Sequence, residues 1–182
     1  MPFTFKKMDI PDVLCIIPKI YTDSRGYFTE TYKESDFLKN GISDSFIQDN
    51  TSQSLKGVVR GLHYQINPVA QAKLVRCIYG KVFDVAVDIR KGSPTFGKWI
   101  SCELSSDNNY LLYLPEGFAH GFLTLSEKAL VTYKVSAEYA PDYERGIIYN
   151  DSKIAIKWPT NDILLSEKDA LFPGFTEADI FD

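Results

Sequence analysis

The chain has 182 residues, 45% hydrophobic and 24% charged, which fits one globular domain over residues 1–182 with ample material for a core. A formal net charge of -4 argues against nonspecific nucleic-acid binding, so an anionic ligand would have to be met by a local cluster of Arg and Lys. Cys15, Cys77 and Cys102 lie far apart with no CxxC, a pattern that gives neither a disulfide framework nor a zinc ribbon.

The N-terminal stretch MPFTFKKMDIPDV lacks the unbroken apolar run of a signal peptide, and no apolar segment approaches the length of a membrane span. A reducing, cytoplasmic setting without membrane contact is therefore expected. The segment ESDFLKNG (34–41) reads as a helix of two turns, with Gly41 as its stop. GVVRGLHYQ (57–65) reads as a strand interrupted by Gly61. KLVRCIY (73–79) and KVFDVAVDIR (81–90) read as consecutive strands joined at Gly80-Lys81 in a hairpin turn. In the second of these, Phe83, Val85, Val87 and Ile89 form a wholly apolar face. Val82, Asp84, Ala86 and Asp88 form a mixed one, the pattern of a half-buried antiparallel strand. Further strands are expected in KWISCELS (98–105), NYLLYLPEG (109–117) and ALVTYKVSAEY (129–139). SEKDALF (166–172) opens a short helix, with Ser166 and Asp169 spaced as a capping box. Many short strands at short spacing indicate a β-sandwich or barrel with a helical C-terminal annex.

Several of these segments carry side chains suited to chemistry. In an unbroken strand Arg60 and His63 face opposite ways. A bulge at Gly61 would bring both to one face, a cation beside a proton-transfer group. A core histidine satisfied by a backbone carbonyl fits the same stretch. Lys73 opens a strand, Gln48 and Asn50 offer amides, His120 lies in PEGFAHGF, and Tyr133 shares a face with Val131 and Val135. A core tyrosine with a satisfied hydroxyl is equally open. Arg25, in DSRGYF, reads by itself as a turn residue. With two histidines far apart and no HxH pair, a three-His metal site cannot be built, and a mixed His/carboxylate site has no spacing to favour it.

Taken together, PKIYTDSRGYFTETY, QDNTSQSLKGVVRGLHYQ, QAKLVRCIYGKVFDVAVDIRKGSPTFGKW, LYLPEGFAHGFLTLSE and SEKD occur in that order. They closely resemble the dTDP-4-dehydrorhamnose 3,5-epimerase family, from about Val13 to Asp169. One departure is Tyr149-Asn150-Asp151, where family members commonly carry Trp-Asn-Asp. The stretch LFPGFTEADIFD (171–182) carries no recognisable motif.

The resemblance implies a mainly β fold, a cupin-type double-stranded β-helix or jelly-roll barrel with short C-terminal helices. It implies a dTDP-linked 4-keto-6-deoxy-glucose as substrate, inverted at C3 and C5 through enolates, with no metal and no organic cofactor. It makes His63 the base, Asp169 its partner, Lys73 the cation at the enolate oxygen and Tyr133 the acid on the opposite face. Asp169 also has the capping role described above, and the two are compatible. Arg60, His120, Gln48, Asn50 and Lys168 would contact the sugar and diphosphate. Tyr139 would stack on the base, and Glu144 would add a further binding contact. Arg25, Phe28 and Glu30 would reach the nucleotide from the partner subunit of a homodimer. Relatives that invert one carbon, isomerise the ketone or only bind a sugar nucleotide are the alternatives.

Overall fold

The computed structural model describes residues 2–181. In chain order it contains β1 (Phe3–Lys7), β2 (Leu14–Pro18), β3 (Ile20–Asp23), β4 (Gly26–Thr29) and helix α1 (Glu34–Lys39). There follow β5 (Gln48–Leu55), β6 (Val59–Gln65), β7 (Lys73–Tyr79), β8 (Lys81–Asp88) and β9 (Trp99–Ser105). The last elements are β10 (Leu111–Leu114), β11 (Phe118–Thr124), β12 (Lys128–Val135), β13 (Glu144–Gly146) and helix α2 (Glu167–Ala170).

The strands form a six-stranded sheet in the order β1-β2-β10-β7-β12-β5 and a five-stranded sheet in the order β13-β6-β11-β8-β9. The β3–β4 hairpin stands apart from both. The two larger sheets face each other as a jelly-roll barrel. Between them lie Val75, Cys77, Val82, Ala86, Leu112, Leu114, Phe122 and Val131. Helix α1 and the turn after it cover the outside of the six-stranded sheet, with Phe37 and Ile42 packed on Phe3, Leu14 and Ile16 of β1 and β2. The C-terminal segment covers the five-stranded sheet, with Ile147, Ile154 and Phe175 packed on Leu62, Val85 and Val87.

This arrangement corrects two expectations. Residues 80–81 do not close a hairpin: β7 pairs with β10 and β12, and β8 with β9 and β11. The chain crosses from one sheet to the other at Gly80. Nor is β8 half-buried. The mixed face, Val82, Asp84, Ala86 and Asp88, turns into the barrel and is fully buried, and the apolar face with Val85 and Val87, which would otherwise meet solvent, is covered by the C-terminal segment. The expected helix 34–41 is found as α1, and Gly41 donates from its N–H to the Leu38 carbonyl just beyond it. Ser166 caps α2 by accepting from the Asp169 N–H at 3.0 Å. The return half of a capping box is missing, because the Asp169 carboxylate is turned into the barrel wall. β1–β5, β11 and β13 were not anticipated as strands.

Candidate active site

The bulge expected at Gly61 is present. His120 pairs with His63, but Phe122 pairs with Arg60, so β6 carries one residue more than β11 between the two pairs. Gly61 has φ +134°, and a Cβ there would stand 2.5 Å from the Gly121 Cα and 2.9 Å from the His120 oxygen. Two glycines thus let β6 and β11 touch, and the extra residue turns Arg60 and His63 onto the same cavity.

That cavity has a volume of about 340 Å³. One wall comes from the six-stranded sheet. Gln48, Asn50 and Ser52 alternate along one face of β5; Tyr133 stands across from Asn50, and Lys73 across from Val135. The other wall holds Arg60, His63 and His120. Tyr139 and Glu144 complete the lining among the expected residues. Asp169 and Lys168 line an adjoining space that shares Arg60, His63 and Glu144 with it.

Each histidine has a carboxylate. His63 Nε2 lies 2.9 Å from Asp169 Oδ1, while Asp169 Oδ2 accepts from the Gly61 N–H at 3.1 Å. Burial alone would raise the Asp169 carboxyl, but the His63 and Gly61 hydrogen bonds hold it below its ordinary range. With Nε2 engaged, Nδ1 is the imidazole nitrogen that has no hydrogen-bond partner among the described residues. Directly across the strand pair, His120 Nε2 meets the fully buried Asp84 at 2.9 Å and 3.1 Å.

Lys73 is buried in this wall, and burial pushes its ammonium down to about 8 despite the upward pull of Asp84 and Glu144. Its Nζ donates to the His63 carbonyl oxygen at 3.1 Å, leaving two of three donors for a ligand. Burial also raises Tyr133, as does Glu144, against the opposite pull of Arg60, so the phenol stays protonated. Among the described residues its hydroxyl has no hydrogen-bond partner. Arg60 is held along β5 by Ser54 Oγ at 2.8 Å and the Gln53 oxygen at 3.1 Å. At the mouth, Glu144 Oε2 accepts from Tyr139 Oη and Lys168 Nζ, both at 2.6 Å. Gln48 accepts from the Tyr139 N–H and donates to Asn50.

Arg25, Phe28 and Glu30 are not brought to this cavity. Arg25 and Phe28 lie on the exposed β3–β4 hairpin, with Glu30 just beyond it, and Arg25 pairs with Asp23 at 2.6 Å. Conversely, Ser52, Gln65, Gln71 and Phe122 line the cavity without having been singled out. Ser52 Oγ is buried there without a hydrogen-bond partner, an open polar contact for a ligand. The signal for it was the polar alternation Gln48, Asn50, Ser52, Ser54 along a strand: an inward polar face marks a lined cavity rather than a core. Asp84 carried a similar signal, an acid between the apolar Phe83 and Val85 in mid-strand. Among the described residues, no three His, Cys, Asp or Glu side chains converge as metal ligands, and no helix is long and apolar enough to cross a membrane.

An imidazole with its carboxylate, a cation with donors to spare and a protonated phenol around one cavity have the chemistry to move a proton at a carbon beside a ketone. Such chemistry inside a jelly-roll barrel places the chain among the cupin-class epimerases. The family model for dTDP-4-dehydrorhamnose 3,5-epimerase matches residues 7–177. The enzyme of that name from Shigella flexneri is 52% identical over 176 residues, covering 96% of this chain and 97% of the relative. The crystal structure of the enzyme from Sulfolobus tokodaii superposes with a TM-score of 0.94 at 44% identity, covering both chains fully. That of dTDP-6-deoxy-D-glucose-3,5-epimerase from Legionella pneumophila, in complex with dTDP-4-keto-L-rhamnose, gives a TM-score of 0.94 at 45% identity, covering 97% of this chain and 95% of the other. The chain belongs to the dTDP-4-dehydrorhamnose 3,5-epimerase family.

Proposed function

We propose that this chain inverts C3 and C5 of dTDP-4-keto-6-deoxy-D-glucose, with His63 as base and Tyr133 as acid. The observation that carries the reading is the His63–Asp169 pair opening onto the same cavity as Lys73 and Tyr133. The 4-keto group acidifies the hydrogens on both neighbouring carbons. His63 Nδ1 takes one of these protons while Asp169 holds the proton on Nε2 and stabilises the imidazolium. The charge moves to the ketone oxygen, where the free donors of Lys73 meet it. Tyr133 then delivers a proton to the other face of the same carbon, and the two side chains are reset by exchange with solvent. A second round inverts the second carbon. Lys73 takes the enolate charge that a Lewis-acid metal would otherwise hold, and no electron is transferred, so the reading includes neither metal nor organic cofactor, and activity should survive exhaustive chelation.

Arg60, His120, Gln48 and Asn50 bind the sugar and diphosphate in this reading, Arg60 because a guanidinium fork matches a phosphate. Lys168, Tyr139 and Glu144 hold the nucleotide end at the mouth. Arg25, Phe28 and Glu30 serve the partner's site in a homodimer, which is favoured by the exposure of Arg25 and Phe28 on a hairpin that lines no part of this cavity, with Glu30 just beyond it. The three free thiols suit the reducing cytoplasm.

Incubation with dTDP-4-keto-6-deoxy-D-glucose in deuterated water, followed by NMR, tests the assignment. Inversion with deuterium at both C3 and C5 is expected. Deuterium at one carbon alone would make it a single-carbon epimerase, and neither exchange nor inversion would make it a binding protein.

A further inference from the structure

We propose that Phe172 is a positioning residue for His63, seated in a slot that Gly146 keeps open. The inference rests on the reading of His63 as the base. On β6, His63 has two cross-strand neighbours: His120 on β11, and Gly146 on β13. A side chain at the Gly146 position would stand beside the imidazole on the same face. Instead the Phe172 ring fills that space. A Cβ built on Gly146 would fall 2.4–2.5 Å from three atoms of the ring. Gly146 does not have a positive φ, so it is room for this ring, not backbone conformation, that requires glycine.

The ring meets the imidazole edge to face, with centroids 5.4 Å apart and planes at 80°. It comes from the same short segment as Asp169, just past α2, and its N–H donates to the Asp169 carbonyl at 3.4 Å. The two contacts do different things. The carboxylate fixes where Nε2 lies, but a ring held at one atom can still pivot about that bond, and the outer torsion of histidine is broad. The His63 side chain is 31% exposed, so its open side offers no packing to stop the pivot. Phe172 does, and so sets the plane in which Nδ1 faces the reacting carbon. Phe172 is not itself among the residues lining the cavity.

Phe172→Ala should lower kcat on the order of 10- to 100-fold with KM nearly unchanged, the pattern of a misaimed base rather than a lost binding contact. Phe172→Leu, which fills the slot but presents no flat ring, should fall between. Gly146→Ala should lower kcat similarly by expelling the ring. The double variant should be no worse than the poorer single one, because both act through one contact. Rates are taken per folded molecule, with melting curves in parallel. If Gly146→Ala does not fold, the two Phe172 variants decide the matter. Wild-type kcat in Phe172→Ala, a rise in KM alone, or losses in the two single variants that multiply in the double would overturn the proposal. His63→Ala separates the two readings. If it keeps wild-type turnover, His63 is not the base; if it is inactive while Phe172→Ala turns over normally, only the positioning role fails.

Discussion

Lys73 is the residue whose environment is most at odds with its charge. It is buried, makes one hydrogen bond to protein, and titrates near 8. The charged form is the one that can meet an enolate. That form is present below about 8 and lost above, so turnover should fall as pH rises through that value. Lys73→Arg, charged throughout, should abolish this alkaline limb in whatever activity it retains. Lys73→Met should lose on the order of 10²-fold or more in rate and yet melt higher than wild type, since a buried cation with unused donors costs stability. Tyr133 tests the other half of the mechanism. Tyr133→Phe keeps the ring and its packing but deletes the donor. His63 could still take a proton and return it to the same face, so the variant should exchange substrate hydrogen for deuterium faster than it inverts carbon. Equal loss of exchange and inversion would remove Tyr133 from the acid role. His63, Lys73, Tyr133 and Asp169 were named from motif resemblance, and the structure brings them together. Asp84 and Phe172 were not named, because each acts through a histidine distant in sequence, and neither spacing nor composition encodes that contact.

The element that matters most is β6 with its bulge. Gly61 is needed twice over, for its positive φ and for the missing Cβ against Gly121. Gly61→Ala should therefore cost about 3 kcal/mol or more in stability, and denaturant melts would measure it. Any folded fraction should be poorly active, because Arg60 and His63 flank the displaced residue. A melt within about 0.5 kcal/mol of wild type, the range of a neutral surface change, would contradict this. The bulge was legible in the sequence because glycine inside an apolar strand has few other uses. The Gly80 crossing was not. Glycine and lysine between two strands suit a hairpin equally well, and only the strands that β7 and β8 each pair with, farther along the chain, decide between them. β5 is not legible in the sequence, because QDNTSQSL has the composition of a loop. It is a strand because β12 pairs with it along its whole length, and its polar face is tolerated because it borders a cavity.

On the scale of the whole molecule, the reading that the β3–β4 hairpin serves a neighbour makes a quantitative demand. Arg25→Ala and His63→Ala should each be nearly inactive. In a mixed dimer, one site would combine an intact His63 with an intact Arg25 from the partner. Random exchange of equal amounts should then recover roughly a quarter of wild-type activity, from half the dimers with one good site each. No recovery after verified exchange would place Arg25 in its own chain's site or in none. Nothing in the sequence distinguishes these cases, since an exposed arginine paired with Asp23 looks like any turn. The passage of the chain between sheets at Gly80 also bears on how the protein is made. Because β7 and β8 go to opposite walls, only β1–β2 and β8–β9 pair in order of synthesis, and the rest of each wall waits for strands made later. β5 waits for β12, its only partner among the described residues, and β6 for β11. The ligand cavity thus has no partly built form that a short nascent chain could hold. Folding should be slow for the chain's size and late, with catalytic competence and native tryptophan fluorescence returning at one rate on dilution from denaturant.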